Sequence, residues 1–298
     1  MGIERKKEQN TETISGIRKI KCGILNGLMY VAAGLICVLL AGMIGYILYR
    51  GVPYLSLEFL TSRPSLLRGT VGIFPNILNT IYIILITIVL VLPLGVGAAI
   101  YLNEYAENKK VLRVIELATE TLGGIPSIIY GLVGMLIFVQ FFSLGTSLLA
   151  GSLTLVIMTL PTIIRTTQES LKTVPQGYRE GSLALGAGKW YMIRTVVLPS
   201  SVDGIVTGCI LSIGRIVGES AALLFTAGMA DEVMNLAQAA TPNHAGSTLS
   251  VALYMYAKER GEFEIAFAIA AILLVLTFCI NLCAKLTASQ LKKKGGEK

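Results

Sequence analysis

The stretch GIVTGCILSIGRIVGESAALLFT, residues 204–226, decides the fold class. It is apolar almost throughout and shows no alternation of polar and apolar side chains. It therefore reads as a helix, and crossing a hydrocarbon core of about 30 Å takes roughly 20 residues. Yet it carries Arg215 and Glu219. Arg215 falls about 16 Å along the axis at 1.5 Å per residue, near the midplane of such a core. Spacing i, i+4 sets Arg215 and Glu219 on one helix face, where they can pair. A charge at a helix centre costs about 2.5–3.5 kcal/mol on insertion scales. That face is therefore expected to look into protein or a water-filled path, not lipid.

The rest of the chain agrees with a membrane reading. Of its 298 residues, 54% are hydrophobic and 14% charged, with mean hydropathy +0.71. Soluble domains carry about 25% charged residues, so this chain cannot cover itself with a polar surface. Five further stretches are long and apolar enough to span: 24–49, 76–102, 122–142, 144–164 and 265–284. The expectation is an all-α polytopic membrane protein with six transmembrane helices. The organisation is a tail at 1–23, a first anchor helix and outer loop at 24–75, a transmembrane domain at 76–284 and a basic tail at 285–298. Gly34, Gly42, Gly45, Gly95, Gly97, Gly131 and Gly134 are suited to close helix packing, and Pro93 and Pro126 to kinks. The cysteines at 22, 37, 209, 279 and 283 have no metal or disulfide spacing and are expected to be buried and inert. His244 is the only histidine, which excludes multi-histidine metal sites within the chain.

Charge distribution gives the orientation. Nineteen Lys and Arg fall in the two tails and the loops 103–121 and 165–203. Five fall in 50–75 and 227–264, and Arg215 completes the 25. The positive-inside rule then puts both termini in the cytoplasm. The net charge of +7 is a topology signal and gives no reason to invoke nucleic acid.

The loop 165–203 is patterned rather than disordered. It has a stop at Pro175, an amphipathic stretch at 178–185, then Gly186, Gly188, Trp190–Tyr191 and a second stop at Leu198–Pro199. Leu183, Leu185, Trp190 and Ile193 are its expected apolar anchors, and a helical element at the membrane surface follows. Its GAGKW is no phosphate cradle, because Leu183 and Trp190 stand where a P-loop needs Gly and Ser or Thr. ATP and magnesium, if used, are bound by partner subunits; no cofactor is expected in this chain.

This loop resembles that of bacterial ABC-importer permeases, which has the form E-A-A, three residues, G, nine residues, I-x-L-P. Glu180, Gly186, Val196, Leu198 and Pro199 stand at that spacing, with Gly181 and Ser182 replacing the alanines. Together with AIYLNEYA, GGIPSIIYGL, PTIIRTTQESLKTVP and GRIVGESAALLFTAG, it is similar to the A-type permease of phosphate-specific (Pst) ABC importers. The resemblance covers roughly 70–284. It implies a type I importer permease fold, in which Glu180, Gly181, Ser182, Gly186, Leu198 and Pro199 form the helix that couples to an ATPase. It also implies a second, C-type permease, two ATPase subunits and an extracytoplasmic phosphate-binding protein, all at a prokaryotic plasma membrane.

Arg215 is then expected as a cationic station on an anion path. Its planar fork suits oxyanions, and Glu219 would weaken its grip. The plainer alternative is a structural ion pair joining helices. Arg165 and Glu169, at the inner end of the fourth span, read as a solvated helix end or as part of an inner gate. The loop 227–264 is expected to hold an amphipathic helix in STLSVALYMYAKER, with Leu249, Leu253, Tyr254 and Tyr256 as anchors. The leading expectation is the permease subunit of an ATP-driven importer of inorganic phosphate, not an enzyme. A permease for sulfate, molybdate or phosphonate is the near alternative. A stand-alone secondary transporter or channel is the alternative of another class; it would need coupling acids within the spans.

Overall fold

The computed structural model describes residues 2–64 and 71–296, with side-chain surroundings described for 21–64 and 71–286. The basic side chains at 5–7, 18–19, 68 and 292–298 that enter the orientation count lie outside the described side chains.

The chain divides into two compact units, Met1–Arg50 and Gly51–Lys298. The first is one helix, α1, over Gly2–Gly51. Its stretch long and apolar enough to cross a membrane runs through Lys21–Tyr54, so the predicted segment 24–49 is helical throughout. It is apolar around its circumference, with Tyr30 and Val38 as exposed as Leu28 and Leu35.

The second unit is a helical bundle, and no strand occurs among the described residues. A short α2 (Leu57–Thr61) is capped by Ser56, whose hydroxyl accepts from Phe59 N at 3.0 Å. The long helix α3 (Phe74–Ile100) has Pro75 in its first turn, where a missing N–H is harmless. It carries Pro93 without ending and continues as a π turn through Tyr105. α4 (Lys109–Gly123) is capped by Asn108, whose side chain accepts from Lys110 N at 3.0 Å. The chain then turns at Gly124–Pro126, and α5 (Ser127–Gly134) with its π-helical extension to Phe141 leaves at 100°. Pro126 therefore ends one helix and starts the next instead of kinking a single span. The third span predicted at 122–142 is the second arm of this bent pair, and most of the loop predicted at 103–121 is helix.

The tight SLGTS connection, with Ser143 at φ 52° and Gly145 at φ 61°, leads into α6 (Leu148–Thr173). α6 is the central helix and packs on α3, α4 and α10. It is rich in hydroxyls. Ser152, Thr154, Thr159 and Thr166 each donate to the carbonyl four residues back in the same helix, at 2.7–2.9 Å. α6 outlasts the predicted span 144–164 by more than two turns, so Arg165 and Glu169 sit on helix rather than at its end. Two short helices follow: α7 (Gln176–Ala184), closed by Gly186 at φ 83°, and α8 (Lys189–Met192). α8 continues as a π turn into α9 (Leu198–Ser200). α10 (Val202–Gly218) departs from that run at 65°.

The stretch that decides the class is itself broken. α10 stops at Gly218, Glu219 is extended (φ −80°, ψ 118°), and α11 resumes at Ala221–Thr226. The fifth span is therefore not one helix over 204–226; its bent partner is the run 189–200, read from sequence as loop. The chain closes with α12 (Leu236–Ala239), α13 (Leu249–Tyr254) and α14 (Phe263–Gly296). Among the described residues four helices are long and apolar enough to cross a membrane, and counting each bent pair as one span gives six.

The main core joins Ile83 and Ile84 of α3, Leu155 and Met158 of α6, Ile213 and Ile216 of α10 and Leu223 of α11. A second core under the loop end unites Ile100, Leu102, Ile164, Leu171, Met192, Ile193 and Val197. Three predicted packing glycines are true close approaches. An added Cβ would lie 2.9 Å from Ile163 Cβ at Gly95, 2.7 Å from Ala222 Cα at Gly131 and 2.7 Å from Thr154 Cγ2 at Gly134. Gly34, Gly42, Gly45 and Gly97 face open space. The cysteines form no disulfide, but four are exposed and Cys209 is only half-buried, against the expectation of burial. An apolar helix surface meant for lipid leaves them uncovered on the single chain.

Candidate functional site

A cavity of about 470 Å³ opens between α4, α6 and α10. Its walls carry Arg215 from α10, Arg165, Glu169 and Lys172 from α6, and Glu116 and Glu120 from α4. The predicted path residue and the predicted gate pair thus share one space. Arg215 is half-buried and lines the cavity, and among the described residues it makes no ion pair. Arg165 Nε donates to Glu169 Oε1 at 3.2 Å, with both side chains about two-thirds exposed. An exposed i, i+4 pair of this kind is worth only about 0.3–0.5 kcal/mol, so it opens easily. Three cationic and three acidic side chains line it, so their formal charges balance.

Glu219 stands elsewhere. The predicted i, i+4 pair with Arg215 does not form, because the helix ends between them and Glu219 turns to the next segment. Its Oε1 accepts from Ala222 N at 3.0 Å, and its own carbonyl accepts from Ser250 Oγ at 2.7 Å. At 8% exposure it serves as a clasp on the helix break. Close contact of Gly131 in α5 with Ala222 in α11 holds the same break from the other side.

The loop helix appears as expected at α7, with Glu180 and Gly181 exposed, Ser182 partly so, Gly186 in a left-handed turn, and Leu198–Pro199 starting α9. Its expected anchors are corrected. Of Leu183, Leu185, Trp190 and Ile193 only Ile193 is buried; Leu185 is 91% exposed, and Leu183, Trp190, Tyr178 and Tyr191 are exposed beside it. Besides Met192, Ile193 and Val197 in the second core, Arg179 holds the loop to the bundle, a residue that no sequence pattern singles out. Arg179 Nη2 and Nε donate to Glu104 Oε1 at 3.0 and 3.2 Å, Nη1 to Val174 O at 2.7 Å and Nη2 to Leu171 O at 2.8 Å. Both side chains are about nine-tenths buried. A carboxylate just past the apolar run of AIYLNEYA was the available signal.

At the far end of α3, Asn76 Nδ2 donates to Asp231 Oδ1 at 2.8 Å, and Asn79 Nδ2 to Ser247 O at 3.2 Å. Thr80 Oγ1 accepts from Leu249 N at 2.9 Å. The amphipathic helix predicted in 247–260 is present, with Leu249 and Tyr256 buried as expected. Tyr254 instead lies at the surface, donating to Glu259 Oε1 at 3.2 Å. That hydrogen bond pushes the Tyr254 phenol up from its ordinary range. His244 Nδ1 lies 3.1 Å from Thr241 Oγ1 and 2.9 Å from Pro242 O. No cluster of His, Cys, Asp or Glu suited to a metal ion occurs among the described residues.

Residues 91–293 match the model of a family described as "Binding-protein-dependent transport system inner membrane component". A protein of Bacillus subtilis named "Probable ABC transporter permease protein YqgI" is 35% identical over 289 residues, covering 93% of this chain and 98% of its own. The "Phosphate transport system permease protein PstA" of Haemophilus influenzae is 28% identical over 271 residues, covering 90% and 94%. In fold, the chain is similar to a chain of a bacterial alginate ABC transporter solved with a pentasaccharide-bound periplasmic protein. The TM-score is 0.65 at 15% identity, covering 93% of this chain and 98% of that one. The chain therefore belongs to the family of binding-protein-dependent transport system inner membrane components, as a membrane-embedded permease subunit of an ABC importer.

Proposed function

We propose that this subunit carries inorganic phosphate inward, forming half of a path that a second permease completes. The observation that carries this reading is Arg215, half-buried and without an ion pair among the described residues, lining a cavity shared with Arg165 and Lys172. A guanidinium donates two parallel hydrogen bonds to an oxyanion. Glu116, Glu120 and Glu169 in the same walls keep its hold weak enough for release. Arg165 and Glu169 act as an inner gate whose exposed pair parts as the anion leaves. Similarity to a phosphate permease over most of the chain supports this substrate over other oxyanions.

The exposed apolar patch of Tyr178, Leu183, Leu185, Trp190 and Tyr191 around Glu180 is the docking face for an ATPase subunit. ATP and magnesium are held there, by the partner. Both termini and this loop lie in the cytoplasm, following the distribution of Lys and Arg. An extracytoplasmic phosphate-binding protein delivers the anion to the opposite face. The test is uptake of radiolabelled phosphate by the purified assembly in liposomes, with sulfate, molybdate or a phosphonate in excess. Phosphate alone should compete. Equal competition by another oxyanion would reassign the substrate, and uptake by this chain alone would make it a stand-alone transporter.

A further inference from the structure

We infer that the Arg179–Glu104 pair makes α3 a connecting rod between the ATPase-docking loop and the opposite face of the subunit. The inference rests on the docking reading of α7. Three observations carry it. First, α7 is joined to α3 by a buried guanidinium with all of its described donors on Glu104, Leu171 and Val174. Glu104 is itself held by Asn103 Nδ2 at 2.7 Å, and Lys189 of α8 lies 4.9 Å from the ring centroid of Tyr105. Second, helix is continuous from Tyr105 back to Phe74, a run of about 45 Å at 1.5 Å per residue. Third, its other end is fastened through Asn76, Asn79 and Thr80 to the segment 231–249.

A stiff helix fixed at both ends transmits displacement along its axis, whereas exposed loops absorb it. Arg179 and Glu104 are thus positioning residues: they touch no anion, and they convert movement of α7 into movement of α3. Glu180, its neighbour in sequence, is exposed and free to meet the partner. One loop helix therefore presents one charged residue outward and anchors the next one inward.

The test uses the purified assembly of this permease with its ATPase subunits and hydrogen exchange read by mass spectrometry, with and without a non-hydrolysable ATP analogue and magnesium. In the native assembly the analogue should change exchange both at 176–184 and at the far-end peptides 74–80 and 244–250. In Glu104→Gln and Arg179→Lys, which keep polar contacts but lose the charged fork, the response at 176–184 should persist. The far-end response should fall at least several-fold, and ATP hydrolysis should lose its stimulation by the binding protein. A far-end response equal to the native one in both variants overturns the inference, as does its absence in the native assembly. Failure of both variants to assemble, or loss of the near-end response as well, would reduce the pair to seating α7. Exchange does not depend on the solute, so an assembly that ignores phosphate while showing this pattern would sink the substrate reading alone.

Discussion

Glu219 separates two physical roles that a charge in a membrane span can have. Glu219→Gln keeps an oxygen acceptor for Ala222 N and removes the carboxylate. Glu219→Ala removes the acceptor and leaves a fully buried N–H unmet. A neutral hydrogen bond contributes about 0.5–1.5 kcal/mol and one to a charged group about 1.5–3 kcal/mol, so the Gln variant should lose about 1 kcal/mol. An orphaned buried donor costs about 1–3 kcal/mol, so the Ala variant should be clearly worse. At roughly 2–4 °C per kcal/mol for chains of 150–250 residues, the Ala variant should melt several degrees below native. The assay is the temperature at which the detergent-solubilised assembly loses its monodisperse peak, run beside phosphate uptake at a permissive temperature. The expected order is native, Gln, Ala for stability, with uptake by the Gln variant near native. A Gln variant that melts like native but loses uptake tenfold or more would refute the clasp and put the carboxylate on the anion's route.

Removing Arg215 by Arg215→Met should lower uptake by one to two orders of magnitude, since hydrogen bonds to charged groups contribute about 1.5–3 kcal/mol; Arg215→Lys should recover part of it, and full uptake by the Met variant would remove the path role. Gly131→Ala should destabilise the assembly by about 1–3 kcal/mol, because the new methyl meets the backbone of α11 rather than a movable side chain; thermal melting reads this. Leu185→Asp should leave the melting of the permease unchanged, because the side chain is almost fully exposed, while co-purification of the ATPase subunit falls.

Hydropathy made the class and the number of spans legible, because a run of apolar residues near membrane length has few other solutions. It did not locate the breaks. GESAA contains no proline and sits inside a long apolar run, so hydropathy alone does not mark Glu219 as extended; the reason lies in Ala222 and Ser250, and Ser250 is remote in sequence. Pro126 was a visible signal, but it was read as a kink and not as a boundary. The cavity wall formed by Glu116 and Glu120 falls in the segment 103–121, expected as loop, although the capping Asn108 and the helical spacing of Leu112 and Ile115 point to helix. Glu104 and Arg179 lie 75 residues apart, and their pairing follows from the packing of the second core, which no single-sequence pattern encodes. The short helix at 176–184 was legible in position, but the bounds 165–203 of its loop were not, since α6 runs on to Thr173 and 189–200 is helical. The outward direction of Leu185 and Trp190 was not legible either, since apolar side chains that end exposed on the single chain read the same as those that enter a core.

The hydroxyls of α6 have a mechanical consequence. Ser152, Thr154, Thr159 and Thr166 all complete their hydrogen bonds within their own helix. Along most of its length α6 therefore offers its neighbours only nondirectional van der Waals contact, and sliding by an ångström or two breaks no bond. The directional contacts sit near its two ends: Leu148 N donates to His244 O at 3.1 Å, Leu171 O accepts from Arg179 Nη2 at 2.8 Å, and Ser170 donates to Ser201 O at 2.8 Å, at the corner where α10 begins. Ser170 makes the one hydrogen bond described between α6 and the start of α10, so a tilt of α10 about that corner would rearrange side-chain packing without breaking any other directional bond to α6.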